Sequence, residues 1–152
     1  MATKIFVIQG ANLNLLGTRE PEIYGNTTLD ELHQHLKNKF TAIDFSFFQS
    51  NDESEIIDCL HQANEKAQAV IINAGGFSHT SIAIADAVAS IKIPSIVVHI
   101  SNIYNREKYR EHDVVGEKCV GAIVGLGIAG YQLAVECLCD DFIFKKSTIV
   151  IL

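Results

Sequence analysis

Arginine is scarce in this chain: three residues in 152, against nine lysines. There is no block of like charges, and the net charge is −6. A nucleic-acid or anionic-membrane surface needs a basic patch, so neither partner is expected. No apolar run is long enough to span a bilayer. The opening Met-Ala-Thr-Lys runs straight into a strand, without a recognisable signal peptide. A cytoplasmic protein with reduced thiols is therefore expected. Of the four cysteines, Cys59 and Cys119 fall in apolar-patterned segments and read as core fillers. Cys137-Leu-Cys139 has no second ligand pair nearby, so no metal is expected. There are no repeats, linkers or low-complexity segments, and one domain over residues 1–152 is expected.

What is present is a regular alternation of elements. Hydrophobic residues make up 48% and charged residues 20%, the balance of a globular core rather than of disorder. Apolar runs predict strands at 4–9, 43–49, 69–73, 95–100 and 119–124. Helices are predicted at about 29–40, 53–66, 81–91 and 131–139, with a short charged helix at 106–112. Thr28 and Glu31 stand in capping-box spacing, and Leu29, Leu32 and Leu36 share one helical face. Strands alternating with helices imply parallel pairing through right-handed crossovers. The expected fold is α/β: a flavodoxin-like three-layer sandwich around a five-stranded parallel sheet in the order 2-1-3-4-5. The final Ser-Thr-Ile-Val-Ile-Leu has no assignment.

The most informative segment is the loop from Asn12 to Gly25. Connections between a strand and a helix usually run about 2–6 residues, and this one is far longer. It carries an amide, a guanidinium and a phenol, in Asn12, Arg19 and Tyr24. Such groups bind and polarise oxygen atoms and move protons. In a sheet of this order, ligands bind beyond the carboxyl ends of the strands, where the order reverses. Past strand three come Asn73, Ser78 and His79. At the end of strand four come His99, Ser101 and Asn102, with Arg106 and Arg110 beyond. All three arginines thus fall in loops at one end of the sheet. Taken singly, each residue has a plainer reading: Asn12 and Asn73 as turn caps, His79 as a helix cap, His99 as a satisfied core histidine, the arginines as a solvated face. Their convergence is what points to a site. His33, His35 and His61 lie on helices away from that crevice and are expected to be solvated.

Gly125-Leu-Gly127-Ile-Ala-Gly130 matches a dinucleotide fingerprint literally. It follows the last strand rather than the first, and no acidic strand completes the unit. Tight turning and close helix–sheet packing account for it.

Three motifs, in order and spaced alike, resemble the type II 3-dehydroquinate dehydratases. They are Asn12-Leu-Asn-Leu-Leu-Gly17 with Arg19-Glu-Pro and Tyr24-Gly25; Asn73-Ala-Gly-Gly-Phe-Ser-His79 through Asp86; and Val98-His99-Ile-Ser101-Asn102 with Arg106-Glu107-Lys-Tyr-Arg110. The match covers roughly residues 4 to 140. The resemblance implies loss of water from 3-dehydroquinate to give 3-dehydroshikimate, an anti elimination through an enolate without organic cofactor or metal, in shikimate biosynthesis or quinate breakdown. It implies Tyr24 as the base, Arg19 beside it, His99 as the acid for the departing hydroxyl, and Asn12 holding a water at the enolate oxygen. Asn73, Ser101 and the backbone of Ile100 would bind the carboxylate, and His79 and Arg110 the ring hydroxyls. Asp86 would reach a neighbouring subunit's site in a homo-oligomer of trimers, commonly a dodecamer. An ordinary tyrosine titrates near 10, so making phenolate at pH 7 costs about 4 kcal/mol. A neighbouring guanidinium lowers that cost.

The chain departs from the family pattern at four positions. Val97 stands where a glutamate is usual, two residues before His99. A carboxylate there would orient the imidazole; Glu107 and Asp113 are candidates to replace it. Asp113 stands where a serine is usual, and Ala11 and Ala74 replace prolines. Val97 keeps a second reading open, a catalytically weak homologue that holds shikimate-like anions. A third is a nucleotide binder resting on the glycine fingerprint.

Overall fold

The computed structural model describes residues 2–143. Five strands, β1 (Thr3–Gln9), β2 (Ile43–Gln49), β3 (Ala69–Asn73), β4 (Ser95–His99) and β5 (Gly121–Val124), form one sheet in the order 2-1-3-4-5, with every neighbouring pair parallel. This is the expected topology. β3 and β4 are buried at every position, which is why they read as unbroken apolar runs.

Alternation along the strands assigns the two faces. Ile5, Val7, Ile71, Ile96 and Val98 point into one core, shared with Leu32 and Leu36 of α2 (Leu29–Lys39) and with Tyr131, Ala134 and Val135 of α5 (Ala129–Cys137). Phe6, Ile8, Val70, Ile72 and Val97 point into the other, against α3 (Glu53–Lys66) and α4 (Ile82–Ser90). A short helix, α1 (Pro21–Tyr24), lies within the first loop. The starts of the longer helices follow from their caps. Thr28 and Glu31 form both bonds of a capping box. The Asp52 side chain accepts from Ser54 N–H, and Ser81 Oγ accepts from Ile84 N–H. Cys59 is buried and Cys119 packs against the same core. Burial pushes both thiols up to about 11.

Some boundaries differ from expectation. The segment predicted as a helix over 106–112 holds only a 3₁₀ turn at Lys108–Arg110. It has no apolar stripe, and so short a helix is not stable on propensity alone. β5 begins two residues late, because Gly116–Lys118 forms another 3₁₀ turn. α5 begins two residues early and continues into a π-helical turn over Leu138–Ile143. Residues 147–152 lie outside the described residues. The glycine fingerprint is a packing device: a Cβ on Gly130 would lie 3.1 Å from Val98 Cγ1.

His33 is not solvated as expected. It is half-buried, stacked on Phe47 with ring centroids 4.0 Å apart, and its Nε2–H donates to Oε1 of the fully buried Gln9 at 2.8 Å. Burial lowers its pKa to about 4, with Asp30 opposing and Lys37 reinforcing the shift. Unfolding returns the imidazole to its ordinary value near 6.5. Between those values the unfolded chain holds more proton, so stability falls as the pH drops through that window. The His33→Gln variant should show a shallower slope of urea-unfolding free energy against pH there than the parent chain. Equal slopes would refute a neutral, buried His33.

Candidate active site

The sheet reverses order between β1 and β3, and there the two chains touch. Gly10 N–H donates to Asn73 O at 2.8 Å. A Cβ on Gly10 would sit 2.2 Å from Ala74 O, so only glycine allows the approach. Above this contact lies a cavity of about 200 Å³, space for one small ring compound with its substituents. Its walls come from the loops after β1, β3 and β4.

Nine of the ten predicted site residues line it: Asn12, Arg19, Tyr24, Asn73, His79, His99, Ile100, Ser101 and Arg110. Asn12 opens the first loop with φ 68°, a left-handed conformation that asparagine tolerates better than most residues. Asn73, buried at the end of β3, donates from Nδ2 to Tyr131 Oη at 2.9 Å and accepts Gly75 N–H on Oδ1 at 3.1 Å. One amide hydrogen is left for a ligand. His79 donates from Nδ1 to the His112 carbonyl at 2.9 Å, which turns Nε2 free of that bond. Its pKa is lowered, chiefly by burial, with the His112 contact opposing. The tenth residue, Asp86, is exposed on α4 and does not line the cavity.

The phenol of Tyr24 lies between two cations. The Arg19 guanidinium is 5.5 Å from its ring centroid and that of Arg106 is 5.3 Å. Arg106 goes further: its Nη1 donates to Tyr24 Oη at 2.8 Å and to Ser101 Oγ at 3.1 Å. The sequence placed Arg106 at this end of the sheet but assigned the cation beside Tyr24 to Arg19 alone. The signal was the confinement of all three arginines to these loops, and all three line the cavity.

His99 is buried at the end of β4, its ring stacked on that of His79 at 5.8 Å. Its Nε2 meets Asp113 Oδ2 at 2.6 Å. Of the two carboxylates named from the sequence, Asp113 is the one at the imidazole. Glu107 faces Arg110 at 2.8 Å and Arg106 at 3.6 Å. Burial pushes the Asp113 carboxyl upward, but the hydrogen bonds from His99 and Gly116 N–H outweigh it and hold it below the usual carboxylate range.

Tyr131 was also missed. Fully buried on α5, its hydroxyl joins Asn73 to Gln9, and through Gln9 to His33. Tyr131→Phe strands the Asn73 amide and should cost about 1–3 kcal/mol in denaturant unfolding. A loss indistinguishable from zero would mean that the hydroxyl does not hold Asn73.

Tyr24, between two guanidinium groups, and His99, against a carboxylate, thus line one cavity, and the chain as a whole is similar to known proteins. The family model Dehydroquinase class II matches residues 3–139. A 3-dehydroquinate dehydratase of Clostridium botulinum is 47% identical over 150 residues, covering 96% of this chain and 97% of that relative. The crystal structure of a type II dehydroquinase from Butyrivibrio crossotus superimposes with a TM-score of 0.89 at 40% identity, over 91% of this chain and 99% of that one. One from Propionibacterium acnes gives 0.88 at 43% identity, over 93% and 99%. The reading as a catalytically weak binder rested on Val97. It finds no support, because the relatives matching nearly end to end are named as dehydratases and Asp113 gives His99 a carboxylate. The chain belongs to the class II dehydroquinase family.

Proposed function

We propose that this protein is a hydro-lyase, a 3-dehydroquinate dehydratase, which removes water from 3-dehydroquinate to give 3-dehydroshikimate. The observation that carries this reading is the presence of Tyr24, under two guanidinium groups, and His99, against a carboxylate, on the walls of one small cavity. An elimination of water alpha to a ketone needs a base and an acid of this kind.

Tyr24 as phenolate takes the proton alpha to the ketone, and Arg19 and Arg106 stabilise the negative charge on its oxygen. Negative charge then passes to the enolate oxygen, where Asn12 holds a water. His99 as imidazolium delivers its proton to the departing hydroxyl, which leaves as water. Asn73, Ser101 and the backbone of Ile100 hold the substrate carboxylate. His79 and Arg110 hold ring hydroxyls, and the loop from Asn12 to Gly25 closes over the bound ring. The whole catalytic unit is one domain, working in the cytoplasm. It assembles as a trimer-based homo-oligomer, a dodecamer of four trimers, in which Asp86 reaches the neighbouring subunit's site. The pathway is that of shikimate, in its biosynthetic direction or in quinate breakdown.

The test is direct. Purified protein mixed with 3-dehydroquinate should show growing ultraviolet absorbance from the conjugated enone product. Tyr24→Phe should slow that growth by about 10²–10⁴-fold. Absence of growth with the parent chain would overturn the reading. Arg19→Ala should lower kcat and kcat/KM together, leaving KM nearly unchanged, since the charge it stabilises develops in the transition state. A raised KM with kcat intact would instead make Arg19 a substrate anchor.

A further inference from the structure

We propose that Asp113 is the positioning residue for the acid half of the reaction, holding the His99 imidazole in a pocket shaped by Gly116 and Val97. The inference rests on the dehydratase reading and extends it to the residue that makes His99 a competent proton donor.

Three features of the geometry converge on the carboxylate. First, both of its oxygens are tied down. Oδ2 meets His99 Nε2 at 2.6 Å, and Oδ1 accepts Gly116 N–H at 2.7 Å. A carboxylate anchored at both ends cannot rotate, so the ring it holds cannot rotate either. Second, its space is built for it. A Cβ on Gly116 would lie 2.4 Å from Oδ2 and 2.7 Å from Cγ. Glycine there is what lets the carboxylate reach the ring. The same Cβ would lie 3.1 Å from Val97 Cγ1, so Val97 packs against this corner from below. Val97 and His99 share a face of β4, two residues apart. Third, the pair is shielded: the two side chains are 6% and 14% exposed. A buried carboxylate is costly unless a positive partner meets it. The partner here is the imidazole N–H, 2.6 Å away.

The consequences for the acid step are specific. A carboxylate only accepts, so Nε2 carries a hydrogen and donates it. The exchangeable proton for catalysis is then the one on Nδ1, the nitrogen this hydrogen bond leaves unengaged. An imidazolium with Nε2–H held by Asp113 and Nδ1–H aimed at the leaving hydroxyl transfers that second proton as the C–O bond breaks. The hydroxyl departs as water and the imidazole is left neutral, still bonded through Nε2. In Asp113→Asn the amide keeps the shape, but its NH₂ presented to the ring asks Nε2 to accept, which favours the neutral ring with its hydrogen on Nδ1. That form is the poorer acid.

Two measurements test this. In the parent chain labelled with ¹⁵N-histidine, the His99 ring, assigned by loss of its signal in His99→Gln, should carry its hydrogen on Nε2, hydrogen-bonded and slow to exchange. A bare Nε2 with the hydrogen on Nδ1 overturns the proposal whether or not any variant folds. In turnover of 3-dehydroquinate, Asp113→Asn and Gly116→Ala should each lower kcat by about 10²-fold with KM within a small factor. Gly116→Ala leaves every charge in place and only displaces the carboxylate, so its loss reports position. Asp113→Asn turning over within about twofold of the parent overturns the proposal while leaving the dehydratase reading intact. A parent chain that does not turn over would sink that reading instead, and the ¹⁵N measurement would still decide whether Asp113 sets the tautomer.

Discussion

The close contact between the carboxyl ends of β1 and β3 is the constraint on which the site depends. At this point the chain leaves β1 toward one edge of the sheet and leaves β3 toward the other, which opens a crevice between the departing loops. The crevice is useful only if its floor is tight. The hydrogen bond from Gly10 N–H to the Asn73 carbonyl closes the floor, and the missing Cβ of Gly10 makes it possible. Asn73 is the last residue of β3, so its side chain has a fixed origin. Tyr131 from α5 then fixes its direction. Asn73 is thus held by the sheet on one side and by a buried hydroxyl on the other.

Charge is distributed locally. An acidic chain places all three of its arginines around one cavity. Glutamates pair with all three: Glu20 lies 3.2 Å from Arg19 Nε, and Glu107 lies 2.8 Å from Arg110 Nε and 3.6 Å from Arg106 Nε. Pairing through Nε leaves the terminal NH₂ groups of the fork to other partners, as in Arg106, whose Nη1 reaches Tyr24 and Ser101. Charges on the remaining surface act over a Debye length of about 8–10 Å at ordinary ionic strength. The cavity therefore has guanidiniums in its walls and a screened acidic surface beyond them.

The central strands β3 and β4 were legible because parallel strands buried on both faces leave unbroken apolar runs. The partly buried edge strand β2, α3 and β3 match their predicted limits residue for residue. The meeting of the loops was legible too, because topology alone brings strand ends together. What stayed hidden depends on side-chain direction across long separations. Arg106 reaches Tyr24 over 82 residues of chain, a contact no local pattern encodes. His33 stands next to Leu32 at the margin of the apolar stripe of α2. Whether such a residue faces water or a buried partner depends on Gln9, on another element. The 3₁₀ turns at Lys108–Arg110 and Gly116–Lys118 blurred two boundaries, since charged residues without an apolar stripe give periodicity nothing to detect.

Position 97 illustrates why a missing motif residue does not imply a missing function. An imidazole acid needs an acceptor at the nitrogen that faces away from the substrate, and chemistry is indifferent to which segment supplies it. Position 97 on β4 is one route, since it shares a face with His99. The turn after β4 and its following loop is another, and it is the one taken here. The two meet at one corner: a Cβ on Gly116 would lie 2.4 Å from Asp113 Oδ2 and 3.1 Å from Val97 Cγ1. Valine at 97 with no Asp113 would leave a buried imidazole without its acceptor. The carboxylate absent at 97 is therefore supplied at 113.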